Sequence, residues 1–164
     1  MSFFITGAEL DAAYASSQVK VRPGQRGRDE SGRWFIFVTY NGGTGGVTGE
    51  EGDFVALMDG ADDYGPYEAS ADLDDGNVLR NSPAGQLQAE LDDGEGGWAQ
   101  YKGENRKAAV TDGNVAQNDL LKLDTGDGTI IRHAAGVAAT IGTAKLADSG
   151  TALAIGSMDI RIDI

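Results

Sequence analysis

Cysteine is absent from this chain, and histidine occurs once, at position 133. The first absence removes disulfides, thiolate metal sites and thiol nucleophiles, and the two together leave a poor donor set for zinc. Long apolar runs are missing too. Stretches such as "WFIFV" at residues 34–38 fall far short of the ~20 residues that a membrane helix needs, so no span is expected. The opening "MSFFITGAEL" lacks the basic start, long apolar centre and small-residue cleavage site of a secretory signal, and no export route is expected from it. Proline is scarce, at three against 25 glycines, so the 164 residues read as loop-rich and globular rather than as a low-complexity polymer. That length suits one domain able to bury roughly two thirds of its unfolded surface.

Positive charge is scarce in one place above all. The formal net charge of −13 resolves into +1 over residues 1–49, −13 over residues 50–95 and −1 over residues 96–164. An acidic middle third repels phosphate backbones and anionic surfaces, so neither nucleic acid nor a membrane is expected as a direct partner. The compensating cations Lys20, Arg22, Arg26, Arg28 and Arg33 cluster upstream, where they read either as a contact for an acidic partner or as a solvated loop.

What is present is mostly strand and turn. "TGAE" at residues 6–9 fits a capping box, with Thr6 and Glu9 in reciprocal roles, and predicts a short helix over about residues 7–15. Its apolar positions Leu10, Ala13 and Tyr14 form one narrow stripe behind "FFI", so residues 1–21 read as an arm that packs on a partner or folds back on its own domain. Removal of residues 1–20 is expected to leave the remaining domain folded. From Pro23 onward, "DESGRWFIFVTY", "GDFVALM", "GWAQYKG", "RKAAV", "DLLKLD", "TIIRHA", "GVAATIG" and "MDIRIDI" are short strands between glycine and aspartate turns. Residues 22–164 are thus expected to form one mainly β domain, a small barrel or sandwich of antiparallel strands, with a loop-rich acidic middle over about 59–95. "SPAGQLQAEL" at residues 82–91 is the one later place where a helix is expected. Asp53 and Asp119 each follow a polar turn and are expected to accept from nearby backbone N–H groups. On a strand, Trp98 and Tyr101 face opposite sides, with Tyr101 expected inside beside Ala99 and Trp98 near a surface or subunit contact.

Catalytic constellations do not assemble. The glycine-rich "NGGTGGVTGEEG" never reaches the G-K-[S/T] ending of a phosphate loop. "DTGDGT", starting at Asp124, fails as an EF-hand because its twelfth position is Ala135, and an irregular calcium site among the acidic turns stays open. His133 lies in an apolar strand without a serine in nucleophile-elbow context. Paired carboxylates abound, but nothing in their spacing marks a glycosidase dyad.

The order of signals over residues 87–164 resembles the small tailed-phage capsid decoration proteins, also called head-stabilising or cement proteins. "GWAQYKG" matches the family's Gly-aromatic strand ending in glycine. Val115 to Leu123 matches V-x-x-x-D before an apolar strand, and "IGTAKLADSG" and the alternating "MDIRIDI" follow. The upstream "DESGRWFIFV" and "GVTGEEGDFVAL" look like the first β unit of the same family, while the long acidic middle departs from it. The resemblance implies a non-enzymatic virion protein without cofactors, made in the host cytoplasm. It implies binding to major capsid protein on the outer surface of a phage head, often as trimers with other copies of itself. Phe3, Phe4, Ile5, Leu10, Tyr14, Lys20, Arg22, Arg26, Arg28 and Trp98 are the residues expected at the capsid or subunit interface. The alternative is a carbohydrate-binding or adhesive module displayed on the virion, using Trp98 or Trp34.

Overall fold

The apolar run "WFIFVTY" forms one continuous strand, and the rest of the chain is arranged around it. The computed structural model describes residues 3–15, 20–59, 65–111, 113–132, 140–145 and 152–162, with Phe3, Arg80 and Asn81 described by backbone alone. In chain order the elements are β1 (Phe3–Phe4), α1 (Gly7–Leu10), β2 (Arg26–Arg28), β3 (Trp34–Tyr40), β4 (Phe54–Met58), β5 (Glu68–Ser70) and β6 (Val78–Leu87). They continue as β7 (Gly96–Glu104), β8 (Ala109–Val110), β9 (Leu120–Leu123), β10 (Ile130–Arg132), β11 (Gly142–Ala144), β12 (Ala152–Leu153) and β13 (Met158–Arg161). His133 lies outside the described residues, as do most of "GVAATIG" and the end of "MDIRIDI".

Strand β3 pairs on one side with β5 and on the other with β7, and the order β3-β5-β4-β6-β7 closes a five-stranded barrel. The fold is mainly β, a barrel rather than a sandwich. Among the described strands, the pairings of β1 with β2 and of β3 with β5 are parallel, where a purely antiparallel set was expected. From β7 the sheet runs on through β13, β11, β9 and β10, and from β3 it runs out through β2 to β1. Ile36, Val38, Tyr40, Leu87, Ala99 and Tyr101 fill the interior and join Leu121, Ile130, Met158 and Ile160 in one apolar cluster. Along β13, Met158 and Ile160 are buried while Asp159 and Arg161 are exposed, the alternation that one wet face demands.

The acidic middle, expected to be loop-rich, also supplies β5 and β6, two of the five barrel strands. Two expectations need correction. "SPAGQLQAEL" is largely strand: residues to Leu87 belong to β6, held between β4 and β7 (Leu87 opposite Ala99), and this pairing overrides the segment's helical pattern. The first helix spans only Gly7–Leu10. Its capping box forms as expected, with Thr6 N donating to Glu9 Oε2 at 2.8 Å and Glu9 N to Thr6 Oγ1 at 3.3 Å. The helix stops because Tyr14 is drawn into a bridge with Gly96, its N–H bonding Gly96 O at 2.9 Å and its carbonyl accepting from Gly96 N at 2.8 Å.

The arm therefore folds back on the barrel. Ile5 and Leu10 pack with Phe35, Phe37 and Trp98 into a second apolar cluster on the outer wall, bordered by Tyr14 and Val21. Trp98 meets Phe37 edge-on, with ring centroids 5.2 Å apart and planes at 81°. Asp11 accepts two hydrogen bonds from the Arg106 guanidinium, one of 2.7 Å from Nη2, and lies 2.8 Å from Lys107 Nζ. These contacts make the arm part of the fold, so deleting residues 1–20 would uncover Phe35, Phe37 and Trp98 rather than leave a clean domain. Trp98→Ala is expected to lower unfolding free energy by about 3–5 kcal/mol, the usual result of emptying a buried aromatic site. Urea denaturation followed by circular dichroism measures this; a loss under about 1 kcal/mol would show that the arm does not bury Trp98 in solution.

Candidate functional site

Strand alternation sorts the two aromatics of "GWAQYKG" onto opposite faces of β7. Tyr101 and Ala99 point into the barrel, as expected. Trp98 does not stay near a surface: it is 1% exposed, because the arm covers the outer face on which it stands. That burial withdraws Trp98 from any sugar-stacking or docking role. Ile5 and Leu10 are likewise inside, and Tyr14 is half-buried against Phe37 with its hydroxyl donating to Glu9 O at 3.2 Å. Phe3 lies in β1, Lys20 and Arg22 are exposed, and Arg33 is engaged by Asp29 at 2.7 Å.

Phe4, Arg26 and Arg28 are the expected interface residues that the fold brings together on an accessible surface. Phe4 is 64% exposed, with the Arg28 guanidinium 4.8 Å from its ring centre, and Arg26 lies 5.8 Å from the ring of Tyr101. The strand register extends this pair into a row. Phe4 stands opposite Arg28, Arg28 opposite Trp34, Trp34 opposite Lys102 where a bulge interrupts the β3–β7 ladder, and Lys102 opposite Arg161, across β1, β2, β3, β7 and β13. Trp34 is half-buried and Arg28, Lys102 and Arg161 are exposed. Arg26, Arg28, Lys102 and Arg161 have no ion-pair partner among the described residues, whereas Arg33, Arg106, Lys107 and Lys145 do. Beside the row, a cavity of about 590 Å³ opens between the arm and the β2–β3 turn, with Phe4, Leu10, Asp29, Arg33 and Arg106 in its lining.

The sequence reading missed Lys102 and Arg161 as members of this surface. Nothing adjacent to them marks them, since they meet Arg28 only through pairing between strands more than 50 residues apart.

At the other end of β3 the surface is acidic. The loop after Tyr40 is pinned by carboxylates that accept from its backbone: Asp93 from Gly42 N at 2.9 Å, Asp75 from Thr44 N at 2.7 Å and Asp72 from Gly45 N at 3.3 Å. The glycine-rich segment thus offers its N–H groups to the protein's own carboxylates instead of to a phosphate. Asp72, Asp74 and Asp127 bring carboxylate oxygens within 4.8 Å of one another. Asp74 and Asp127 are exposed, where such groups are ordinarily solvated, whereas burial followed by the adjoining Asp74 carboxyl pushes Asp72 above the usual carboxylate range.

The turn carrying Asp127 is stitched in by Gly128, whose N–H bonds Ala71 O at 2.8 Å and whose carbonyl accepts from Phe54 N at 2.9 Å. Gly128 has φ of +60°, and a Cβ there would sit 2.2 Å from Asp53 Cγ, so this approach needs glycine. Asp53 and Asp119 cap their turns as expected, accepting from Glu50 N at 2.9 Å and Ala116 N at 2.8 Å.

Compared with protein families, with curated proteins and with solved structures, the chain matches none.

Burial, reinforced by the charges of Glu50 and Asp127 and opposed by the Glu50 N–H, raises Asp53 to about 6. Unfolded, an aspartate titrates near 3.9. Between roughly pH 4 and pH 6 the folded chain therefore holds more protons than the unfolded one, and this group's contribution to stability falls as pH rises through that window. A shift of about two units corresponds to about 3 kcal/mol. Asp53→Asn keeps an acceptor for Glu50 N–H and removes the titration. It is expected to be more stable than wild type at pH 7 and to lose less stability between pH 4 and pH 6. Urea midpoints across that range test this, and parallel profiles for the two proteins would contradict it.

Proposed function

We propose that this chain is a non-enzymatic structural virion protein that binds the outer surface of a phage head and stabilises contacts between major capsid protein subunits. The observation that carries the reading is the docking edge built by the arm. Its helix and Ile5 are anchored in the barrel wall, while Phe4 projects from the terminal strand of the sheet with Arg28 against its ring. Phe4 is exposed on a strand paired into the sheet edge, and aromatic and arginine side chains dominate the energetics of interfaces. The order of motifs over residues 87–164, which resembles the decoration proteins, supports the same reading, and so does a barrel in which a loop-rich acidic end faces away from the docking edge.

Binding of this kind stabilises a shell by mass action, since each docked copy adds interface between subunits that only the assembled state presents. The partners in this reading are major capsid protein and further copies of the chain, arranged as trimers at three-fold or quasi-three-fold positions. Its place is the outer surface of the virion, after synthesis in the host cytoplasm. The alternative of a glycan-binding module loses one of its two stacking residues with the burial of Trp98.

Heads of the source phage stripped of this protein provide the test, with occupancy read by quantitative gel and cryo-EM. Wild type is expected to refill its positions. Phe4→Asp, at a position 64% exposed, is expected to keep the wild-type melting temperature and to occupy at least tenfold fewer positions at equal concentration. Full occupancy by the variant would remove Phe4 from the interface, and failure of wild type to bind any head would overturn the reading.

A further inference from the structure

The barrel wall is an electrical dipole. Arg28, Trp34, Lys102 and Arg161 lie at the start of β3 and the end of β7. Asp72, Asp75 and Asp93 hold the loop that leaves the end of β3. Six steps separate Trp34 from Tyr40, and at ~3.3 Å per step the two ends stand about 20 Å apart, beyond the screening length of ~8 Å at physiological salt. Each end therefore presents its own sign to a partner.

Eight cations have no ion-pair partner among the described residues, Lys20, Arg22, Arg26, Arg28, Lys102, Lys122, Arg132 and Arg161, and of these Lys102 and Arg161 stand directly opposite each other on neighbouring strands, both exposed. The nearest acidic neighbours of the row do not neutralise it. Asp29 is taken by Arg33, Glu104 by Lys145, and Asp159 stands two residues from Arg161 on the same face of β13 without an ion pair. Phe4 at the far end of the row is exposed, whereas Trp34 packs against the interior apolar cluster.

We infer that the Lys102–Arg161 half of this row is a head-to-tail contact for the acidic end of a second copy of this chain. Both complementary surfaces are present on one molecule, which is the charge argument for that occupant. The acidic end is also concave: a cavity of about 420 Å³ lined by Thr44, Gly45, Asp72, Asp74, Asp75 and Asp127 lies there, open to a long cationic side chain. Because the two surfaces differ, the contact is heterologous. It closes into a ring or continues as a chain according to the rotation between copies. The Phe4 end of the row remains free for another partner.

Charge-reversed pairs in purified protein test the contact without any shell. Lys102→Glu/Arg161→Glu reverses the row, and Asp74→Lys/Asp127→Lys reverses exposed positions of the acidic end. Sedimentation velocity up to millimolar concentration is expected to show wild-type self-association and, for each variant alone, a dissociation constant at least about tenfold weaker, because like charges then face each other. An equimolar mixture of the two variants is expected to recover association, since it restores one native contact and creates one swapped contact.

Net repulsion alone makes the opposite prediction for the acidic-end variant. Its net charge falls in magnitude from −13 to −9, so it would associate better than wild type. Absence of wild-type association, unchanged association in either variant, or a mixture no better than its components would each overturn the inference. So would loss of heparin binding in the row variant with self-association intact, which would mark the row as a site for anionic polymers. The neutral forms Lys102→Gln/Arg161→Gln and Asp74→Asn/Asp127→Asn are read the same way if a reversal prevents folding. Loss of head occupancy with self-association preserved would count against the capsid reading and leave this contact standing.

Discussion

Strand β3 is apolar on both faces, and most of the architecture follows from having to cover each of them. Ile36, Val38 and Tyr40 point one way, Phe35 and Phe37 the other, and all five are at most 1% exposed. Closing β3, β5, β4, β6 and β7 into a ring covers the first face. A ring cannot cover its own outside, so Phe35 and Phe37, with Trp98 beside them on β7, require a second layer. The arm supplies it through Ile5 and Leu10. Fully burying a large apolar side chain is worth about 1.5–3 kcal/mol, so leaving three aromatics bare would forfeit much of the margin by which a domain is stable.

The same layer explains how polar groups come to lie on the outer wall. Gln86 and Gln100 face each other across β6 and β7, and both are fully buried, as is Gln88. Gln100 Nε2 donates to Glu104 O at 2.7 Å and its Oε1 accepts from Arg106 N at 2.9 Å, while Gln86 Nε2 donates to the carbonyls of Gly52, Lys107 and Ala108 at 3.1 Å. The segment after β7 is thereby folded over the wall. It carries Arg106 and Lys107 into reach of Asp11, and the ion pairs that fasten the arm depend on it. Asp11, with the Arg106 guanidinium bonded to it, is held well below the usual carboxylate range, so protonation loosens this clasp only under strongly acidic conditions.

For the proposed role, this construction separates two tasks. The inner half of the arm is committed to the molecule's own wall, and Phe4 at its outer strand is left for a partner. Charge is separated as well, because the strand order that places Lys102 and Arg161 beside Arg28 sends the glycine-rich loop and its carboxylates to the opposite end of β3. A shell-binding surface and a surface between copies can then coexist on one small barrel without sharing residues.

Much of this was legible in the sequence. The glycine and aspartate turns and the alternating "MDIRIDI" specify short strands, and the capping box at Thr6 and Glu9 forms as written, because these features depend on residues a few positions apart. Even the fate of the arm was decidable in principle, since five consecutive apolar residues at 34–38 cannot all face into one barrel. The helical reading of residues 82–91 and the surface placement of Trp98 failed for a common reason: local pattern yields to whatever packs against it, and β4, β7 and the arm are all distant in sequence. The candidate surface was the least legible part. Phe4, Arg28, Trp34, Lys102 and Arg161 become neighbours only through strand register, and register is set by which faces must be buried, a condition that exists only once the barrel has closed.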